Sequence, residues 1–320
     1  MNLEMQRQLL GDPVRNEAFA RAIANTVRPG DRVIDLGAGT GYLGFLALQA
    51  GAGKVVFIEE NGILGAAVHM AEQLGVSHRC EFYEFHSSQL KFTQKASVII
   101  CETLGSFAFE EHLIENWRDA ERWASPSTRW LPSSVEVFVG CVIGLEFHKT
   151  IDIWSGIPGS LPWNTLRHVS LSRPYAQRIP ADTLLKPCPS LIRVCPTQTL
   201  SSRWESRAEW ILPQDTEIFG FCLFWEAKLD KTEILSTSPK HASTHWKQLY
   251  LPLESSLEAN SGDRVVFEIR SETGWESGLD LEWTGLLSRQ SKTIQKTKMK
   301  SKEGYPDWLV MDDQNLEEPP

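Results

Sequence analysis

Glu102 closes an apolar run, ASVIICE at 96–102, and the segment it opens, CETLGSFAFEEHLI, offers a second acid eight or nine residues later as Glu110 or Glu111. Two carboxylates brought together repel each other and hold their protons more tightly unless a cation stands between them. A planar cation with several N–H donors satisfies both at once, and a guanidinium is such a group. It is ordinarily a poor nucleophile, because its charge is delocalised and it stays protonated below a pH of about 12. Carboxylates that draw the positive charge to one part of it leave electron density on the remaining terminal nitrogen. The chemistry implied is catalysis by electrostatics and positioning.

Such acids need a scaffold that brings them to one edge. Apolar residues recur at helical spacing from Val14 to Thr26, and RPG at 28–30 ends that helix. The pattern then predicts a strand (Arg32 to Leu36), a glycine turn (Gly37 to Gly41), a helix (Tyr42 to Ala50) and a strand (Lys54 to Ile58). A helix at Ile63 to Leu74, a strand at Cys80 to Glu84 and the apolar strand 96–102 continue the alternation of a parallel sheet covered on both faces. Glu102 would thus sit at the carboxyl edge of the sheet, beside the glycine turn, where ligands of such folds bind. Phe109, Glu110 and Glu111 are expected to open the next helix, through Ile114 and Trp117, and first-turn acids are stabilised there by the helix dipole whatever their function.

After ERWASPSTRWLP (121–132) the texture changes to short, alternating, β-branched runs such as SSVEVFVGCVIGLEF and DRVVFEIRS. The reading is an α/β Rossmann-like domain over 1–131 followed by an all-β, barrel-like domain over 132–288. Between 154 and 190 the chain is rich in proline and lacks periodicity, as an inserted arm would be. The stretch 289–320 is basic, then acidic, and reads as a solvated, disordered tail in which Trp308 alone argues for docking.

VIDLGAGTG sets Gly37, Gly39 and Gly41 between strand and helix, where the backbone can pass close to a bound nucleoside. The spacing is G-x-G-x-G, preceded by Asp35, and it resembles motif I of class I S-adenosylmethionine-dependent methyltransferases. An acid at the strand end suits an ammonium and a sulfonium better than a phosphate. Glu59, 24 residues after Asp35, closes the second strand, where it could accept hydrogen bonds from both ribose hydroxyls, while Glu60 points elsewhere. An adenine contact is expected from the loop after the next strand, near His86, Ser87 and Ser88.

ETLGSFAFEE, DLGAGTG and Thr244-His245-Trp246 together resemble the double-E loop, motif I and THW loop of the protein arginine methyltransferases, in that family's order and over roughly residues 6–285. The resemblance implies an S-adenosyl-L-methionine cofactor and transfer of its methyl group to an arginine guanidinium. It selects Glu111 over Glu110 as the partner of Glu102, makes Arg15 in LLGDPVR the partner of the methionine carboxylate, and pairs Asp12 with His245. That pair could accept or relay the proton lost on methylation. Trp246 would be a substrate-binding and gating wall, and 154–176 the arm of a head-to-tail homodimer. The chain departs from the pattern at Thr103 and Ser106 in the acid loop, at Ser87 and Ser88 against the adenine, and at Leu9 and Leu113, where methionines help set the product in some members. The family's N-terminal lid helix is expected to be absent or built otherwise, since few residues precede Gln6.

Lys plus Arg (32) against Asp plus Glu (41) gives a net charge of −9, which argues against sequence-independent nucleic-acid binding and favours cationic partners. The six cysteines form no C-x-x-C pair and read as free thiols of a reducing compartment, with no metal site expected. No signal core or membrane-spanning run is apparent, so a cytoplasmic, membrane-independent protein is expected. Acceptors consistent with the acids are an arginine in a protein or peptide, or free arginine or another small guanidine. A non-catalytic protein that retains the cofactor is the reading from a different class.

Overall fold

In a computed structural model, residues 3–91, 93–144, 146–159, 162–198 and 201–301 are described. Helices α1 (Leu3–Leu10) and α2 (Pro13–Thr26) lead into a Rossmann-like unit of β1 (Arg32–Leu36), α3 (Tyr42–Gln49), β2 (Lys54–Glu59), α4 (Leu64–Gln73), β3 (Cys80–Glu84), β4 (Val98–Cys101), α5 (Leu113–Ala120) and β5 (Arg129–Leu131). The five strands are parallel, in the order β3-β2-β1-β4-β5. Strand order reverses between β1 and β4, which lie in register with Leu36 opposite Cys101. The crevice that ligands use in open α/β sheets therefore falls between the glycine turn after Leu36 and Glu102 after Cys101. The central strands β1, β2 and β4 are almost wholly buried because helices cover both faces.

The second domain holds β6 (Ser134–Val142), α6 (Glu146–Ile151), α7 (Arg167–Leu171), β7 (Tyr175–Gln177), β8 (Ser190–Val194), β9 (Arg203–Ile211), β10 (Thr216–Lys228), β11 (Ile234–Ser236), β12 (Gln248–Ala259), β13 (Arg264–Glu272), β14 (Asp280–Arg289) and β15 (Lys292–Lys300). They build two antiparallel sheets, β7-β12-β10-β6-β8 with β11 on β10, and β15-β14-β13-β9. The sheets close on shared aromatics: the Phe221 and Phe267 rings lie 4.5 Å apart, and the Trp283 indole donates to the Pro252 carbonyl at 2.8 Å. One contiguous apolar core runs from β1 and β4 into this barrel-like domain. At the domain boundary Arg21 pairs with Glu233 at 3.0 Å and Asn25 with Asp230 at 3.0 Å.

Three expectations change. The tail is not uniformly disordered: 292–300 form β15, whose Lys298 pairs with Glu282 at 2.9 Å, because alternate side chains still find partners on β14; 302–320, with Trp308, lie outside the described residues. The arm region is largely helical despite its prolines. Arg167 of α7 grips Asp152 through two hydrogen bonds of 2.7 Å and also donates to the Glu254 carbonyl on β12. The third change concerns the acid loop and is described with the site.

Candidate active site

Gly37 and Gly39 both have positive φ, 75° and 53°, so the turn needs residues without a Cβ penalty. Space requires the same. A Cβ on Gly37 would lie 2.8 Å from Thr103 Cγ2, and one on Gly39 2.6 Å from the Gln6 amide nitrogen. Two acids hold this turn from behind. Asp35 Oδ2 accepts the Gly44 N–H at 2.8 Å, and Glu59 Oε2 accepts the Gly39 N–H at 3.0 Å while its other oxygen takes the Asn61 side chain at 2.9 Å. Burial pushes the Asp35 carboxyl up to about 7; the Gly44 N–H and Arg15 pull it back, and Glu102 and Glu59 push it further.

Glu102 leaves β4 beside this turn and meets Arg15 of α2. Arg15 Nε donates to Glu102 Oε2 at 3.0 Å, and Nη2 donates to the same oxygen. Both side chains are only 6% exposed, so this is a desolvated pair. The loop beyond Glu102 is suspended from the barrel domain by two indoles. Trp246 Nε1 donates to the Leu104 carbonyl at 2.6 Å, and Trp225 Nε1 to the Gly105 carbonyl at 2.9 Å.

The acids at 110 and 111 do not open a helix. His112 adopts φ 61°, and α5 starts only at Leu113, so Glu110 and Glu111 sit in the turn before it, without the helix-dipole stabilisation expected of first-turn acids. The left-handed corner aims Glu111 into the cleft, and Asn116 of α5 holds its carbonyl at 3.3 Å. Glu110 also reaches the cleft, and its Oε1 accepts the Ser106 N–H at 2.6 Å, so it fastens the loop on which Glu102 sits. Burial raises the Glu110 carboxyl, while the Ser106 and Phe107 N–H groups restrain it. Glu111 is pushed up to about 8, first by loss of solvent within the cleft and then by Glu102 and Glu110, although its side chain still meets water at the cleft mouth.

His245 comes from the loop before β12. Its ring Nδ1 lies 2.8 Å from Asp12 Oδ2, and its backbone N–H donates to the same oxygen at 2.7 Å. Asp12 Oδ1 meanwhile caps α2 by accepting the Arg15 N–H at 3.0 Å. Burial works against the Asp12 charge, but the His245 and Arg15 hydrogen bonds hold its carboxyl below the ordinary value. An ionised carboxylate only accepts, so Nδ1 carries a proton toward Asp12 and Nε2 is the ring nitrogen left to other partners.

A cavity of about 180 Å³ brings together Arg15, Asp35, Gly37, Gly39, Glu102, Glu110, Glu111, His245 and Trp246. Asp12, Gly41 and Glu59 stand behind its wall, and His86 and Ser87 lie apart on the loop after β3. The space is smaller than the roughly 300–1,000 Å³ of ordinary small-molecule sites because α1 lies across the glycine turn. Gln6 of α1 is buried there and its Oε1 lies 3.3 Å from Thr40 Oγ1. An N-terminal cover is therefore present as a single short helix without paired aromatics. Sequence reasoning missed Gln6, Trp225 and the inward reach of Glu110. Gln6 carries no motif, and Trp225 sits in an apolar strand that looks like any other.

Residues 134–284 match the family model described as the arginine methyltransferase oligomerization subdomain. Among curated relatives, the histone-arginine methyltransferase CARMER of Drosophila yakuba is 26% identical over 314 residues, covering 91% of this chain and 59% of that protein; CARMER of Drosophila willistoni is likewise 26% identical, with 58% of its length covered. The chain thus spans somewhat over half the length of these relatives. In fold it is similar to a chain of the Trypanosoma brucei PRMT1 enzyme–prozyme heterotetrameric complex with AdoHcy, with a TM-score of 0.82, 18% identity and coverage of 93% of this chain and 98% of that one. It is similar also to Arabidopsis thaliana protein arginine methyltransferase 10, with a TM-score of 0.79, 18% identity and coverage of 94% and 98%.

Proposed function

We propose that the chain is a protein arginine methyltransferase, a reading supported by the family model matched over residues 134–284 and by its curated relatives, and that it transfers a methyl group from S-adenosylmethionine to the guanidinium of an arginine in a protein or peptide. The observation that carries this reading is one cavity in which Glu102 and Glu111 face the same space as the glycine turn, with Arg15 as the nearby cation. The residues suit the cofactor: a turn stripped of side chains, a guanidinium for its carboxylate, and buried acids for its cationic groups. When bound, it supplies an electrophilic methyl on a sulfonium.

The work of the chain is to bind and orient. Glu102 and Glu111 grip two edges of the acceptor guanidinium, draw its positive charge toward themselves and leave a terminal nitrogen facing the donor. The acceptor nitrogen that takes the methyl group would then have one proton to shed. His245, held by Asp12 through Nδ1, is placed to accept or relay that proton. Trp246, pinned to Leu104 and edge-on to Trp225 at 5.1 Å, forms a fixed wall of the acceptor channel.

A basic segment such as a histone tail suits both the acid-lined cavity and the net charge of −9. Ile153, just before the arm, and Trp163 on it are 52% and 41% exposed and offer apolar surface to a second copy, which supports a homodimer. The deciding experiment incubates the protein with labelled cofactor, arginine peptides and free arginine side by side and reads products by mass spectrometry. Label on peptide arginine is the expected outcome. Label on free arginine alone would redirect the reading to a small-guanidine enzyme, and cofactor binding with no labelled product from any acceptor would leave only a binding protein.

A further inference from the structure

We propose that Trp275, at the tip of the β13–β14 hairpin, is a positioning residue for the adenine end of the cofactor site, acting through His86; this rests on the cofactor reading above. The Trp275 and His86 rings meet edge to face, with centroids 4.6 Å apart and planes at 87°. Trp275 belongs to the barrel-like domain and is 38% exposed, so the barrel core does not account for its size. An indole placed at a hairpin tip against a ring of the other domain is a contact between domains.

The hairpin is rigid enough to make that contact count. At its root Thr273 is fully buried and bonded on three sides. Its N–H donates to the Ser202 carbonyl at 3.0 Å, its hydroxyl to Glu115 Oε1 at 3.1 Å, and its carbonyl accepts His112 Nδ1 at 2.7 Å. At the tip the Gly278 N–H closes onto the Gly274 carbonyl at 2.8 Å, with Gly278 at φ 61°. The loop that receives it is anchored on two flanks. His86 Nδ1 lies 2.7 Å from Ser88 Oγ, which ties the ring to its own turn, while Arg122 holds the Ser87 carbonyl and, at 2.9 Å, that of Leu90. Trp275 sets a further flank of this loop, from which the sequence predicts the adenine contact. The root of the hairpin holds His112, the residue next to Glu111. One hairpin therefore fixes both the cofactor loop and the acid corner.

Trp275→Ala and Trp275→Phe test this by calorimetric titration with S-adenosylhomocysteine and with adenosine alone, together with steady-state kinetics on an arginine peptide. Loss of one edge-to-face pair is expected to weaken both ligands by the same factor, about 3- to 10-fold, in Trp275→Ala. The cofactor KM should rise in step, with kcat and the peptide KM within about twofold of wild type, and Trp275→Phe should restore binding. Unchanged affinity of both ligands in Trp275→Ala, or a change confined to kcat or the peptide KM, would overturn the proposal while leaving the cofactor reading intact. If wild type binds neither ligand, both fall.

Discussion

Glu111 offers a direct test of how the cavity handles its charge. Four carboxylates line the cavity, from Asp35, Glu102, Glu110 and Glu111, and Arg15 is already engaged by Glu102. The surplus is relieved by protons, and Glu111 carries the largest share, with its carboxyl pushed up to about 8 by lost solvation, Glu102 and Glu110. If Glu111 is one arm of the proposed clamp, acceptor binding must expel that proton, since a protonated carboxyl cannot draw charge from a guanidinium. With a pKa near 8 the ionised fraction is roughly a tenth at pH 7 and roughly nine-tenths at pH 9, so kcat/KM for the peptide should climb up to about tenfold over that range. Water at the cleft mouth screens part of the repulsion, which makes tenfold the ceiling and starts the rise below pH 8. The assay measures initial rates at saturating cofactor from pH 6.5 to 9, with peptide affinity for the complex with S-adenosylhomocysteine titrated in two buffers of different ionisation enthalpy to count released protons. A release approaching one proton per site at pH 7, absent in Glu111→Gln, is expected. A flat kcat/KM profile, or a release that persists in Glu111→Gln, would refute the assignment.

Arg15 can serve Glu102 or a cofactor carboxylate, so the cofactor should bind first and release Glu102: peptide affinity should rise at least about tenfold on adding S-adenosylhomocysteine, and calorimetry showing equal affinity without it would contradict this. Asp12→Asn keeps an α2 N-cap but loses the charge opposite His245, so kcat should fall by about 10²-fold or less with cofactor affinity within about threefold, read from rates and titration. Asp35 titrates higher in the folded chain than in the unfolded one, so its ionisation costs stability as pH rises from about 4 through 7. Asp35→Asn should therefore stabilise the ligand-free protein by on the order of 2–4 kcal/mol at pH 8 and by little at pH 4, measured by urea unfolding, while weakening cofactor binding. Trp225→Phe leaves the Gly105 carbonyl without its donor and should lower kcat more than it raises the cofactor KM, because the acid loop and not the glycine turn is loosened; a selective rise in the cofactor KM would count against that placement.

What could be read along the chain and what could not divides by the range of the interaction. The glycine turn was legible because its requirements are local: positive φ at Gly37 and Gly39, and an acid at the end of the strand before it. The helix predicted at Phe109 failed for an equally local reason, a left-handed His112, but the cause of that corner is remote, since the ring of His112 is held by the Thr273 carbonyl 161 residues away. The same holds through the site. Glu102 finds Arg15 across 87 residues, Gly105 finds Trp225 across 120, and His245 finds Asp12 across 233. Periodicity carries no information about such pairs; the Glu102, Glu111 and Asp12–His245 assignments came from motif order, and Glu110 and Trp225 had no motif to mark them.

The acids of the cleft are also told apart by what each is bonded to. Each carboxylate there has a local restraint: a backbone N–H for Asp35 and Glu110, a guanidinium for Glu102, and a proton for Glu111. On the proposed function, the restraints on Asp35 and Glu110 can stay as they are when ligands bind. Those on Glu102 and Glu111 do not, since Arg15 can turn to another carboxylate and a proton can leave. The two acids read as the clamp are thus the two whose compensation is exchangeable, and it is this difference in partners that separates Glu111 from its neighbour Glu110.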